Sequence, residues 1–142
     1  MADNKTPRVR AIGGVFFRSK DSKASLEWYA RHLGLGVDTY GSNFVWRKED
    51  APEQLGYTIW SPFKHETDYF GDNDQQFMIN YRVDDLEALV ETLRAEGVEI
   101  VDEIQVESYG KFVHIVDNEG RRVELWEPVD EEYAKMLDEV TK

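Results

Sequence analysis

The sequence predicts an α+β fold of two tandem βαβββ modules. Three observations carry that expectation: an internal repeat, two amphipathic helices with matched caps, and strand-like runs parted by turn residues after each helix. At a spacing of about 65 residues, Arg18 falls on Arg82, Asp21 on Asp85 and Leu26 on Val90. Further along, "FVW" at 44–46 is answered by "FVH" at 112–114, and "TIWSP" at 58–62 by "ELWEP" at 124–128. Two copies at this period indicate a duplicated unit inside one domain, since a solenoid needs three or more.

Each element has a local reason. Residues 11–18 and 76–83 are apolar-rich and read as the first strand of each module. The helices that follow open on Asp21-Ser22 and Asp84-Asp85, whose side chains can accept from unpaired first-turn amides. Leu26, Tyr29, Ala30 and Leu33 form an i, i+3, i+4, i+7 stripe, as do Leu86, Leu89, Val90 and Leu93. Gly34 and Gly97 supply the stops. Three strands are then expected in each half, at 36–40, 43–48 and 56–60, and at 99–106, 111–116 and 121–126.

The modules span 8–62 and 76–128 of a single domain covering 1–142. Residues 63–75 form a connector, long for a passive link, that is either an aromatic-bearing lid over a site or simply the crossover between the halves. A terminal helix covers 129–142, with Tyr133 and Met136 or Leu137 as its docking residues.

A net charge of −12 and a pI near 4.6 oppose nucleic acid and anionic membranes, both of which require basic surface. No apolar run is long enough to span a bilayer, and the first ten residues lack a signal-peptide core, so a cytoplasmic location is expected. The absence of cysteine excludes disulfides, thiolate metal sites and cysteine nucleophiles.

The paired βαβββ pattern, with "LEWYARHLGLGV" after the first strand and "VDNEGRRVELWEP" near the end, resembles the vicinal oxygen chelate superfamily. That group contains glyoxalases, extradiol dioxygenases and bleomycin resistance proteins. The resemblance implies curved mixed sheets around a concave cleft, often completed by a second subunit, and a homodimer is expected. It also implies four metal-ligand positions, which fall here on Gly14, Thr58, Met78 and Glu124, and only Glu124 has a suitable side chain. No complete metal site is therefore expected, although Zn, Ni, Mn or Fe stays open if other donors rebuild one.

Strand alternation places a set of side chains in the cleft: Phe16 and Arg18; Trp46; Thr58 and Trp60; Met78, Asn80 and Arg82; Arg122 and Trp126. Tyr69 or Phe70 from the connector would fold over them. The rings offer broad faces to a flat or cationic organic molecule, or simply fill the interior. Arg18 and Arg82 either clamp a carboxylate or pair with acids.

His114 lies ten residues before Glu124 across the final hairpin. The two form an acid–base couple, the core of a rearranged metal site, or members of a structural polar network. Two functions remain: a binder of a small aromatic or amphipathic molecule, and a metal-dependent lyase, isomerase or ring-cleaving dioxygenase using Glu124 and His114.

Overall fold

The computed structural model describes residues 7–141, with side chains described through Asp138. Residues 1–6 and 142 of the expected domain lie outside the described residues. The first module runs β1 (Val9–Ser19), α1 (Ser22–Leu33), β2 (Ser42–Lys48) and β3 (Ala51–Lys64). The second runs β4 (Phe77–Val83), α2 (Leu86–Ala95), β5 (Gln105–Glu107), β6 (Gly110–Val116) and β7 (Arg122–Pro128), followed by α3 (Asp130–Thr141).

The seven strands among the described residues form one mixed, curved sheet in the order β2-β3-β1-β4-β7-β6-β5. The modules join edge to edge within the chain through antiparallel β1 and β4, and each closes with a parallel pair, β1 with β3 and β4 with β7. The expected α+β architecture of tandem modules is thus observed.

Two strand expectations are corrected. Residues 36–40 form no strand, because Asp38 accepts from the amides of Tyr40 (2.7 Å) and Gly41 (3.1 Å), turning the chain before β2. Residues 99–106 contribute only an Ile100–Ile115 bridge and the first two residues of β5. The freed loop between them has a role in the site described below.

The two helix caps are as expected: the side chains of Asp21 and Asp85 accept from Ala24 and Ala88. Gly34, at φ 68°, ends α1 in the left-handed conformation that glycine adopts without steric cost.

α1 and α2 cover the convex face. Phe17 and Trp60 pack on Tyr29 of α1, while Val83, Val113 and Leu125 pack beneath Leu86 and Val90 of α2. The concave face is covered by the connector and α3. There Phe70 is fully buried with Phe16 and Met78, and Tyr133 of α3 packs with Tyr57 and Trp126.

Two arginines hold these covers. Arg18 donates to the carbonyls of Gln75 (2.9 Å), His65 (2.7 Å) and Thr67 (2.8 Å), with its guanidinium over Phe70. Arg82 forms a bidentate pair with Asp130 (3.0 and 2.5 Å) at the start of α3, lying against Trp46 and Trp126. Each therefore ties down the segment that leaves the last strand of its own module.

Candidate functional site

One row of residues crosses the concave face where the modules meet. The ladder sets Gly14 beside Asn80, Asn80 beside Glu124, and Glu124 beside His114. Alternation turns these side chains away from α2, because Val113, Leu125 and Tyr81 occupy the opposite parity. A carboxylate only 2% exposed results at Glu124, beside Asn80 and His114 at 0% and 4%.

Such a charge is tolerable only with partners. Asn80 Nδ2 donates to Glu124 Oε1 at 2.7 Å, and the Tyr69 hydroxyl, arriving from the connector, donates to Oε2. His114 Nε2 lies 2.9 Å from Oε2, in ion-pair range but off the line of a hydrogen bond. On the far side of the imidazole, Nδ1 is 2.7 Å from Asp102 Oδ2, while Asp102 Oδ1 accepts the His114 amide at 2.8 Å.

The imidazole therefore lies between two carboxylates. Burial disfavours its charged form, but Glu124 and Asp102 outweigh that, and the His114 pKa rises above 6.5. Burial and the Glu124 charge push the Tyr69 hydroxyl far above the usual phenol range, so it remains a donor. Among the described residues, the buried side-chain polar atoms without a hydrogen-bond partner are Asn80 Oδ1 and His114 Nε2, and both belong to groups that flank Glu124.

The other expected cleft residues divide. Phe16, Met78 and Trp126 lie on the concave face as interior packing, with Trp126 stacked 5.6 Å from Phe112. Trp46 donates to Thr58 Oγ1 (2.9 Å), which donates in turn to the Ile12 carbonyl (2.8 Å). Arg18 and Arg122 hold the connector, Arg122 through its amide on Gln75 Oε1 (2.8 Å) and its guanidinium on the Tyr69 carbonyl (3.4 Å).

Trp60 is a correction, for it packs on α1 and not in the cleft. The register explains why. Arg82 pairs with Trp126 and Asn80 with Glu124, whereas Arg18 pairs with Phe63 and Phe16 with Ser61. Counting back from the matched helix caps, Arg18 answers Arg82 and Phe16 answers Asn80. The counterpart of Glu124 is consequently Ser61, three residues beyond the Thr58 suggested by the sequence echo.

These residues do not make up the metal site that the fold implies. Gly14 has no side chain, and a Cβ there would come 2.8 Å from Phe16 Cζ, so the Phe16 ring fills a ligand's place. Met78 is sealed between Phe16 and Phe70, and the Ser61 hydroxyl is committed to the Tyr40 carbonyl at 2.5 Å. Asp102, His114 and Glu124 form a line and not a cage, because opposite imidazole nitrogens face different carboxylates. Among the described residues, no group of three or more His, Cys, Asp or Glu side chains is placed to hold a metal ion.

Asp102 and Tyr69 complete the row. The connector's aromatics point to Tyr69 in the sequence, whereas Asp102 carries no such signal, because the pattern of residues 99–106 is that of a strand.

Beside the row lies a pocket of about 350 Å³ between the β2–β3 strands and α3. Ile59, Tyr133, Met136 and Leu137 supply apolar wall, and Asp38, Asn43 and Ser61 supply polar groups. A larger hollow of about 590 Å³ is an open groove on α1 around Trp28, Arg31 and His32, remote from the row.

A family model described as the Glyoxalase/Bleomycin resistance protein/Dioxygenase superfamily matches residues 11–125. The chain belongs to this superfamily.

Among solved structures, methylmalonyl-CoA epimerase from Mycobacterium tuberculosis is 20% identical, with 89% of this chain and 93% of that one covered and a TM-score of 0.57. The Streptomyces coelicolor methylmalonyl-CoA epimerase in complex with 2-nitronate-propionyl-CoA is 16% identical, covering 86% and 99% at a TM-score of 0.65. The Mn(II)-bound glyoxalase from Novosphingobium aromaticivorans is 21% identical, covering 86% of this chain and 40% of that one at a TM-score of 0.54. At these identities the likeness is one of fold. No curated protein sequence matches the chain significantly. No helix among the described residues is long and apolar enough to cross a membrane.

Proposed function

We propose that this superfamily member binds a small aromatic or amphipathic organic molecule, uncharged or cationic, without a bound metal. The observation that carries the reading is the pocket of about 350 Å³ beneath α3, within the usual volume range of small-molecule sites. Its apolar wall suits ring or alkyl carbon, and the Asn43 amide nitrogen, whose Oδ1 accepts from the Tyr133 hydroxyl at 2.6 Å, offers a donor for orientation. Asp38 and the net charge of −12 disfavour anions. Native mass spectrometry of the purified protein should reveal a co-purifying organic molecule that disappears in Met136→Trp, where an indole fills the pocket. Retention of the same molecule by that variant would refute the assignment.

The 2.9 Å contact of His114 with Glu124 favours a second reading, acid–base catalysis by that pair. Its metal-dependent version predicts stoichiometric Zn, Ni, Mn or Fe, lost in Glu124→Ala, and such a result would overturn the metal-independent account. We also propose a homodimer, because Val9, Ile12, Phe44 and Val45 are exposed, and apolar burial stabilises by about 25 cal/mol per Å². Sedimentation at tens of micromolar should give twice the chain mass, and a monomer would refute this.

A further inference from the structure

Tyr69 is bound as a ligand would be. Its hydroxyl donates to a buried carboxylate, its ring stacks on Phe63 at 5.5 Å and 25°, and its face or edge meets His114 at 4.9 Å and 90°. Yet the side chain remains 36% exposed and belongs to the connector, so a rotation about its side-chain bonds would carry the ring into solvent. The backbone need not follow: its amide is held by Thr67 Oγ1 at 3.2 Å and its carbonyl by Arg122 at 3.4 Å.

We propose that the space held by Tyr69 is a second binding site, for the phenol group of an external molecule, with Tyr69 as its built-in competitor. It is separate from the pocket beneath α3. Glu124 Oε2 accepts the phenol proton, Phe63 and the imidazole edge of His114 hold the ring, and Phe16 and Phe70 exclude water from the inner wall.

The unpartnered atoms explain why an external phenol would compete with a tethered one. His114 Nε2 is buried and meets no in-line acceptor while Tyr69 is in place. A phenol oxygen can donate one hydrogen bond and accept others, but that of Tyr69 is fixed by its backbone and does not meet the imidazole nitrogen. A free phenol shifted slightly toward β6 donates to Glu124 and accepts from His114 Nε2, adding an in-line hydrogen bond to a nitrogen whose 2.9 Å contact with Glu124 is otherwise only ionic.

The test uses p-cresol, the tyrosine side chain without its backbone, and toluene, the same ring without a hydroxyl, in calorimetric titration of the full chain. Tyr69→Ala should bind p-cresol at least about tenfold more tightly than toluene, and about tenfold more tightly than the wild type does. Tyr69→Phe keeps the ring and removes the competing hydroxyl, so it should also bind p-cresol more tightly than the wild type. In the wild type, p-cresol should shift the Tyr69 ring resonances toward solvent-exposed values. Adding Glu124→Gln to Tyr69→Ala should weaken p-cresol binding and narrow its advantage over toluene, because a neutral amide replaces the charged acceptor.

Equal binding of p-cresol and toluene by Tyr69→Ala would overturn the proposal. So would undisplaced Tyr69 in the wild type at p-cresol concentrations about a hundredfold above those that half-saturate Tyr69→Ala. Met136→Trp should leave p-cresol binding intact, so failure at this site is distinguishable from failure of the pocket beneath α3.

Discussion

Replacing Glu124 by Gln keeps the shape of a side chain only 2% exposed and removes its charge. The Gln oxygen can still accept from Asn80, and its amide can donate to the Tyr69 oxygen. What disappears is the negative charge 2.9 Å from His114 Nε2.

The effect should therefore depend on pH, with a definite sign. The folded His114 pKa lies above its unfolded value of 6.5, so its stabilisation is fully present below 6.5 and lost as pH rises through the folded value. Removing one partner of a buried ion pair costs about 3–5 kcal/mol, and less here because Asp102 still faces the imidazole. Glu124→Gln should thus cost about 2–3 kcal/mol at about pH 5.5, or roughly 5–10 °C in Tm, and less at about pH 9, since rising pH favours the neutral imidazole, which can accept from the Gln amide. Urea unfolding at the two pH values measures the difference. An equal cost at both, or a larger one at high pH, would refute the placement of a charged imidazole between Asp102 and Glu124.

Two further outcomes test the covers of the concave face. Arg18→Met removes the donors to His65, Thr67 and Gln75, so the connector should be cleaved faster in limited proteolysis than in the parent, while α2 stays protected. Asp130→Asn weakens the Arg82 and Lys48 pairs and should cost about 1–3 kcal/mol near neutral pH, with faster amide exchange across α3. Burial alone would raise the Asp130 pKa, but Arg82 and Lys48 hold it below 3.8; its stabilisation is present above 3.8 and fades on acidification through the folded value, so parent and variant should converge there.

Caps, helix stripes and the tandem repeat were legible because they are local or periodic. Asp21, Asp85 and Gly34 announce their roles to neighbours a few residues away, and alternation alone puts Asn80, His114 and Glu124 on one face. Register was not legible. The "TIWSP" and "ELWEP" echo suggested that Thr58 answers Glu124 and Trp60 answers Trp126, but β3 runs on to Lys64 and sets Ser61 and Phe63 in those places. A shift of three residues reverses the face, which is why Trp60 lies under α1. Asp102 was hidden for a related reason: a carboxylate that reaches across to a histidine from an irregular loop leaves no periodic trace. The pocket was equally invisible, being made when Arg82 and Asp130 dock α3 over β3.

The most direct measurement of the central claim is a fluorescence titration of chelator-treated protein with the neutral aromatic probe N-phenyl-1-naphthylamine. Binding should saturate at one probe per pocket beneath α3, unchanged by added Zn, Ni, Mn or Fe and lost in Met136→Trp. Binding that appears only when metal is restored, or that survives in Met136→Trp, would contradict it.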